Sequence, residues 1–250
     1  MIIRVMTISV LMFLSGLCNA QVPDYSTLSQ QLLLKARTGQ VVDTILHDFK
    51  YCNKYELDKQ LDTDAKRLAF WINMYNAQVI IQLKAKPELY KHRKSFFARK
   101  SVIIGGKKVS LDVIEHGILR QSKVKWGLGY IDKLFKGSFE VMYRVQRFDY
   151  RIHFALNCGA KSCPPIAYYS SDKIDEQLEL AMRNYITGNC LYNEKENVLH
   201  LPAIFNWFRG DFGSKRGIFE LMKRYKVMPA NAQPEVVYDK YNWTLVLGNE

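Results

Sequence analysis

The sequence predicts a single α+β domain, and three observations carry that expectation. Residues 64–84, DAKRLAFWINMYNAQVIIQLK, repeat apolar side chains at helical spacing. Residues 101–109 alternate around Gly105-Gly106 as a hairpin does. Residues 139–156 hold two runs of strand-like composition, VMYRV and YRIHFAL. The expected architecture has helices in the first half, a mainly antiparallel sheet carrying YRIHFALN, and further helices packed on that sheet. No repeat, low-complexity tract or Pro/Gly-rich linker divides the chain, so residues 21–250 read as one domain.

The elements follow in order. Residues 1–20, MIIRVMTISVLMFLSGLCNA, have one basic residue, an apolar run and a small-residue end, the pattern of a secretory signal peptide cleaved after Ala20. The run is shorter than the roughly 20 apolar residues of a spanning helix. The expectation is therefore a secreted or periplasmic protein with no transmembrane segment in the mature chain. Residues 28–50 read as helix broken near Thr38-Gly39. In the helix 64–84, Leu68, Ile72, Tyr75, Val79 and Leu83 share one face, yet Trp71, Asn73, Asn76 and Ile80 fall on the others. That helix is apolar nearly all round and should be buried. Its asparagines must then either tie a neighbouring loop or point into a polar site.

Ser110 is placed to cap a helix over 111–120, with Asp112, His116 and Arg120 at four-residue steps. A helix over 172–186 ending near Gly188, a short strand at 198–201, short helices at 202–208 and 217–225, and an edge strand in the tail VVYDKYNWTLV complete the reading.

The formal charge is +12, and removal of Arg4 with the leader leaves +11. The densest basic block, residues 91–108, contains no acidic residue. Summed positive potential draws in polyanions, so an anionic envelope polymer or lipid headgroups are candidate partners, against the simpler reading of a solvated loop and hairpin. Export argues against nucleic acid.

The chemistry gathers at HFALNCGAKSCPP, residues 153–165. Four cysteines follow the leader: Cys52, Cys158, Cys163 and Cys190. Two disulfides with three connectivities are open in an oxidising compartment. The spacing C-x4-C lacks the second close pair that zinc requires, and neither a metal nor an organic cofactor is implied. Cys158 stands where a strand should end. Gly159 allows a sharp turn there, backbone N–H groups from Gly159 to Ser162 could hold an anion, and Lys161 adds positive charge; all three favour thiolate. The competing reading is a small buried hydrophobe or half a disulfide. On an extended strand His153 would lie roughly 16 Å from Cys158 and on the opposite face. It therefore reads as a structural or binding imidazole. His116 is the first candidate base, with Glu115 beside it and Asp112 one turn before; a surface ion pair with Asp112 is the alternative.

AFWINMYNA (69–77), DVIEHGILR (112–120), HFALNCGAKSCPP, IFNWFRGDF (204–212) and YDKYNWTLV (238–246) together resemble the domain-of-unknown-function family numbered 547, over roughly residues 64–246. The resemblance implies a single globular domain, exported in many bacteria and without a settled activity. It matches Cys158, Ser162 and Pro164 to positions the family tends to keep. It implies that Cys163, often replaced, is not an obligatory partner. It also marks Trp71, Asn73, Tyr75, Asn76, Glu115, His116 and Arg120.

Two functions follow. The first is a thiol-dependent hydrolase or acyl transferase acting on a small-molecule or peptide substrate. Cys158 is its nucleophile, His116 the base and Glu115 or Asp112 the orienting group; Asn73 or Asn76 holds the oxyanion with the loop amides. By analogy it would be a permuted papain-like or transglutaminase-like arrangement, because His precedes Cys. The second is a non-catalytic binding module of the cell envelope, capturing an anionic group or peptide terminus through Arg120, His153, Lys161 and Ser162. A redox thiol pair fits less well, since C-x-x-C is absent.

Overall fold

The computed structural model describes residues 22–247, so the leader expected at residues 1–20 lies outside them. The first half is helical. Asp24 accepts from the N–H groups of Ser26 and Thr27 to start α1 (Tyr25–Thr38), which ends on left-handed Gly39. Two short helices follow, α2 (Asp43–Tyr51) and α3 (Lys54–Gln60). Thr63 then caps α4 (Asp64–Ala85), the central helix. Its side chains are buried without interruption from Arg67 to Ile80, as an apolar surface all round requires. Trp71 meets Phe70, Phe139 and Tyr143 edge-on at 4.9, 5.9 and 5.6 Å between ring centroids.

The basic block begins in a 3₁₀ turn, Pro87–His92, and α5 (Arg93–Ala98), which buries Phe96 and Phe97 while its basic side chains face outward. The hairpin is as read, with β1 (Lys100–Ile104) paired antiparallel to β2 (Lys107–Ser110). A π-helix, Val113–Leu119, comes next, then α6 (Ser138–Tyr143). A 3₁₀ helix, Tyr150–Phe154, leads into the cysteine loop. Beyond that loop come α7 (Ile174–Asn189), β3 (Leu191–Asn193), β4 (Val198–Leu201), α8 (Ile204–Trp207), α9 (Ser214–Arg224) and β5 (Glu235–Tyr238). Strand β4 is central, antiparallel to β3 and parallel to β5. Two hydrophobic clusters result, one around α4 and one enclosed by α7, the small sheet, α8 and α9.

The α+β class stands, but the large sheet does not. With 51 % of the described residues helical and 11 % strand, helices build the core and the two small sheets sit at its edge. Both misread strands are helical for identifiable reasons. VMYRV is helical through Tyr143, the end of α6, where Phe139 and Tyr143 lie one helical turn apart and both close on Trp71. In YRIHFALN, Asp149 accepts from the Arg151 N–H and chelates its guanidinium, which curls the chain into a 3₁₀ turn. Residues 152 to 157 are all buried, so the apparent alternation had no exposed face.

Asn73 and Asn76 hold loops rather than a ligand. Asn73 brackets Tyr169, accepting its N–H at 3.0 Å and donating to its carbonyl at 2.8 Å. Asn76 donates to the Ala155 carbonyl and accepts the Asn157 N–H, both at 2.9 Å. Both are fully buried, which removes them from the oxyanion role expected above. Asn76→Ala leaves one carbonyl and one N–H unpaired in the interior. Urea unfolding is expected to show a loss of about 2–4 kcal/mol.

Candidate functional site

The site begins with the loop that Asn76 anchors. Asn157 donates to the Pro164 carbonyl at 2.8 Å and accepts the Gly159 N–H at 2.8 Å, drawing the two ends of the loop together. Gly159 turns at φ +85°, a conformation that favours glycine, and a Cβ there would also crowd the methyl ends of Leu245 and Leu83 at 3.1 and 3.2 Å. The closed loop sets Cys158 Sγ 2.7 Å from Cys163 Sγ, while the Cys158 backbone N–H donates to Cys163 Sγ at 3.0 Å. The tail brings Tyr241 over both sulfurs, its hydroxyl 3.1 Å from Cys163 and 3.5 Å from Cys158.

These contacts make the two thiols unequal. The hydrogen bond from Cys163 pulls Cys158 down to about 7 against the opposing effect of burial, helped by the Tyr241 hydroxyl and the Ala160 N–H. Burial, and then the neighbouring Cys158, push Cys163 well up. Burial and both cysteines likewise raise Tyr241, which stays a phenol and therefore a donor. Cys158 is also the partly exposed sulfur of the two, so the thiol closer to ionisation is the one nearer to solvent.

A second polar group faces them. Tyr75 on α4 donates to Glu115 Oε2 at 3.0 Å. The π-helix that carries Glu115 and His116 makes i−5 bonds at its end, the Arg120 N–H to the Glu115 carbonyl and the Ser122 N–H to that of Gly117. Arg120 donates through Nη1 to His116 Nδ1 at 3.0 Å and through Nε to Asp211 Oδ2 at 2.8 Å. His153 Nε2 donates to the same oxygen at 2.8 Å, with its ring stacked 4.0 Å from Phe208. A guanidinium only donates, so His116 Nδ1 is an acceptor and the ring proton sits on Nε2, which is 3.9 Å from Asp112. Burial pushes Asp211 up, but its bonds from His153 and Arg120 outweigh this and hold it below the usual carboxylate range.

Burial, reinforced by Arg120, holds His116 well below its ordinary 6.5. Burial also lowers His153, against the pull of Asp211. Both rings are therefore neutral in the fold, whereas in the unfolded chain they protonate near 6.5. The stability they contribute is complete above that pH and is lost as pH falls below it, because the unfolded chain then binds more protons. Thermal unfolding followed from pH 7 to pH 5 should show a falling midpoint, and the fall should be shallower in His153→Gln.

The thiols, Tyr75, Glu115, His116 and His153 open on one cavity of about 710 Å³ between the two hydrophobic clusters. Trp207, Tyr241 and Trp243 wall one side, and Lys91, Arg93, Lys94 and Lys125 stand at its rim. Of the residues expected from sequence, Cys158, His116, Glu115 and His153 meet here. The strand-based separation of His153 from Cys158 is thus corrected. No hydrogen bond among the described residues joins either imidazole to either sulfur, which revises the expectation of His116 as the direct base for Cys158.

Arg120 is buried in its ion pair, away from any ligand. Lys161 is exposed outside the cavity, and the Ser162 hydroxyl accepts the Asn242 N–H. Of the loop amides from Gly159 to Ser162 expected to cradle an anion, three are occupied, Gly159 by Asn157, Lys161 by Thr244 and Ser162 by Asn242, while the Ala160 N–H is directed at the Cys158 sulfur. Among the described residues, all four cysteines are unbridged and no group of three or more His, Cys, Asp or Glu is placed to hold a metal ion.

A family model described as protein of unknown function, DUF547, matches residues 59–186. The chain belongs to this family. No curated protein and no solved structure matches it. The matched DUF547 segment holds Tyr75, Glu115, His116, Arg120, His153 and both sulfurs, while Asp211 and Tyr241 reach the site from beyond it. Neither residue was singled out from the sequence. The only signals for them were the runs FRGDF and YDKYNW, within which neighbours in sequence point in different directions.

Proposed function

We propose that this DUF547 protein is a thiol-dependent hydrolase or acyl transferase, exported and acting on a small acyl compound or peptide. One observation carries the reading: Cys158 lines a cavity of about 710 Å³ with Cys163 Sγ 2.7 Å and the Tyr241 hydroxyl 3.5 Å from its sulfur, neighbours that favour its thiolate. A thiolate already formed needs no base. Its sulfur attacks the acyl carbon and forms a C–S bond, and the carbonyl electrons move to oxygen, where His116 Nε2–H is available as a neutral donor. Collapse breaks the bond to the leaving group, which takes a proton from Cys163 or Tyr241. Water or an acceptor nucleophile then displaces the thioester and restores that proton. The role of His116 changes from base to donor because Arg120 occupies its Nδ1.

A second reading, dithiol–disulfide exchange, is favoured specifically by the 2.7 Å separation of the two sulfurs. Cys158 would attack a substrate disulfide and release one thiolate. Cys163 would then displace the second thiol and leave a Cys158–Cys163 disulfide, a two-electron oxidation of the pair.

Incubation of the full chain with p-nitrophenyl acetate, followed by peptide mass spectrometry, tests the first reading. The expected result is an acetyl thioester on Cys158 that survives Cys163→Ser and disappears in Cys158→Ser. Labelling confined to lysine would contradict it. Reduction of glutathione disulfide that depends on Cys163, without any acyl adduct, would establish the second reading in its place. Failure of both, with a ligand still held in the cavity, would leave a binding module.

A further inference from the structure

We propose that the loop at residues 126–135 docks the protein on the surface of an anionic lipid bilayer. Five large apolar side chains of this one segment stand in solvent: Trp126 is 77 % exposed, Leu134 85 % and Phe135 89 %, with Tyr130 and Ile131 also exposed. So many exposed apolar groups within ten residues mark a contact surface.

The loop is held in shape from below. The Val124 N–H donates to the Ile131 carbonyl at 2.8 Å, the Lys133 N–H to the Ser122 carbonyl at 2.7 Å, and the Gly210 N–H to the Leu128 carbonyl at 2.8 Å. Tyr130 also shares a hydrogen bond with Ser214 at 2.8 Å. These bonds fix the backbone from Ser122 to Lys133, with Leu134 and Phe135 directly after it.

The composition of the loop suits the interface of a bilayer: Leu134 and Phe135 are its most exposed apolar side chains, Trp126 and Tyr130 carry polar handles suited to the headgroup level, and lysines 123, 125, 133 and 136 lie within it or next to it in sequence. Lys123, Lys125 and Lys133 pair with Asp132, Asp112 and Glu140, whereas Lys136 enters no ion pair among the described residues. Lys125 also stands at the cavity rim with Lys91 and Lys94, which extends the positive field beside the loop. Basic residues near an anionic leaflet add attraction to apolar insertion. A second copy of this chain fits poorly as occupant, because two surfaces of a +12 protein repel. No described helix is long and apolar enough to cross a membrane.

Co-sedimentation of the full chain with vesicles of phosphatidylglycerol and phosphatidylcholine, against phosphatidylcholine alone, tests the proposal. Binding is expected only to the anionic vesicles. It should weaken about tenfold or more in the double variant Leu134→Ser, Phe135→Ser, and separately in Trp126→Ser. All variants should keep the parent's thermal midpoint, since the side chains contribute little to the core. Cys158→Ser should bind as the parent does, which keeps this result independent of the thiol chemistry. The proposal is overturned if neither vesicle binds, if the variants bind as well as the parent, or if ultracentrifugation shows self-association that the double variant abolishes.

Discussion

Replacing Asp211 with alanine is expected to lower the unfolding free energy by about 3–5 kcal/mol, the largest effect of any substitution at the site. Asp211 and Arg120 are both inaccessible to water, and their 2.8 Å pair is shared by His153 at the same distance. Removing the carboxylate strands a guanidinium that cannot lose its proton and deprives His153 of its acceptor. Close packing leaves no route for relief: the backbone of Gly129 lies so near the Asp211 N–H that a Cβ on Gly129 would collide with it. The cost comes from the orphaned charge more than from a lost attraction. Arg120→Met combined with Asp211→Ala should therefore recover a large part of the stability that Asp211→Ala alone removes. Urea titration of the two variants decides this, and equal destabilisation by both would show that packing, not charge, is what Asp211 supplies.

Cys158→Ser is expected to lower acyl turnover about a thousandfold or more while leaving stability nearly unchanged, because it removes only the reacting atom. Serine presents an alcohol that the surrounding donors cannot ionise at neutral pH. Cys163→Ala and Tyr241→Phe act differently, since each removes one donor from the thiolate. Hydrogen bonds to a charged group are worth about 1.5–3 kcal/mol, so each variant should raise the Cys158 pKa by roughly one to two units. Activity would then recover at higher pH, which a merely structural role would not produce. The pH–rate profile of each variant is the measurement.

The legible parts of the sequence were those in which local chemistry and tertiary burial agree. Helix α4 carries its burial in its own composition, and Gly105-Gly106 fixes the hairpin whatever surrounds it. YRIHFALN failed because alternation is informative only when one face meets water, and here every side chain from Ile152 to Asn157 is buried. The run after Asp149 contained the deciding signal, an Asx turn that starts a 3₁₀ helix. At the site, Cys158, Glu115, His116 and His153 were found because reactive side chains are few. Their partners were not, because Asp211 lies 58 positions from His153 and Tyr241 83 positions from Cys158. Proximity of that kind is set by how α8, α9 and the tail close over the thiol loop, and no local pattern encodes it. Asn73 and Asn76 were readable as buried amides needing partners, but which partners depended on the loops they hold.

The proposed chemistry requires one property above all, a solvent-reachable Cys158 thiolate near neutral pH. Alkylation of the native, unreduced protein by iodoacetamide across pH 5 to 10, read by peptide mass spectrometry, measures it directly. The predicted result is modification of Cys158 ahead of Cys52 and Cys190, which are buried and raised, with a rate that climbs through a midpoint near 7. A midpoint at the ordinary 9.0, or recovery of Cys158 unmodified or only as a stable disulfide, would contradict it.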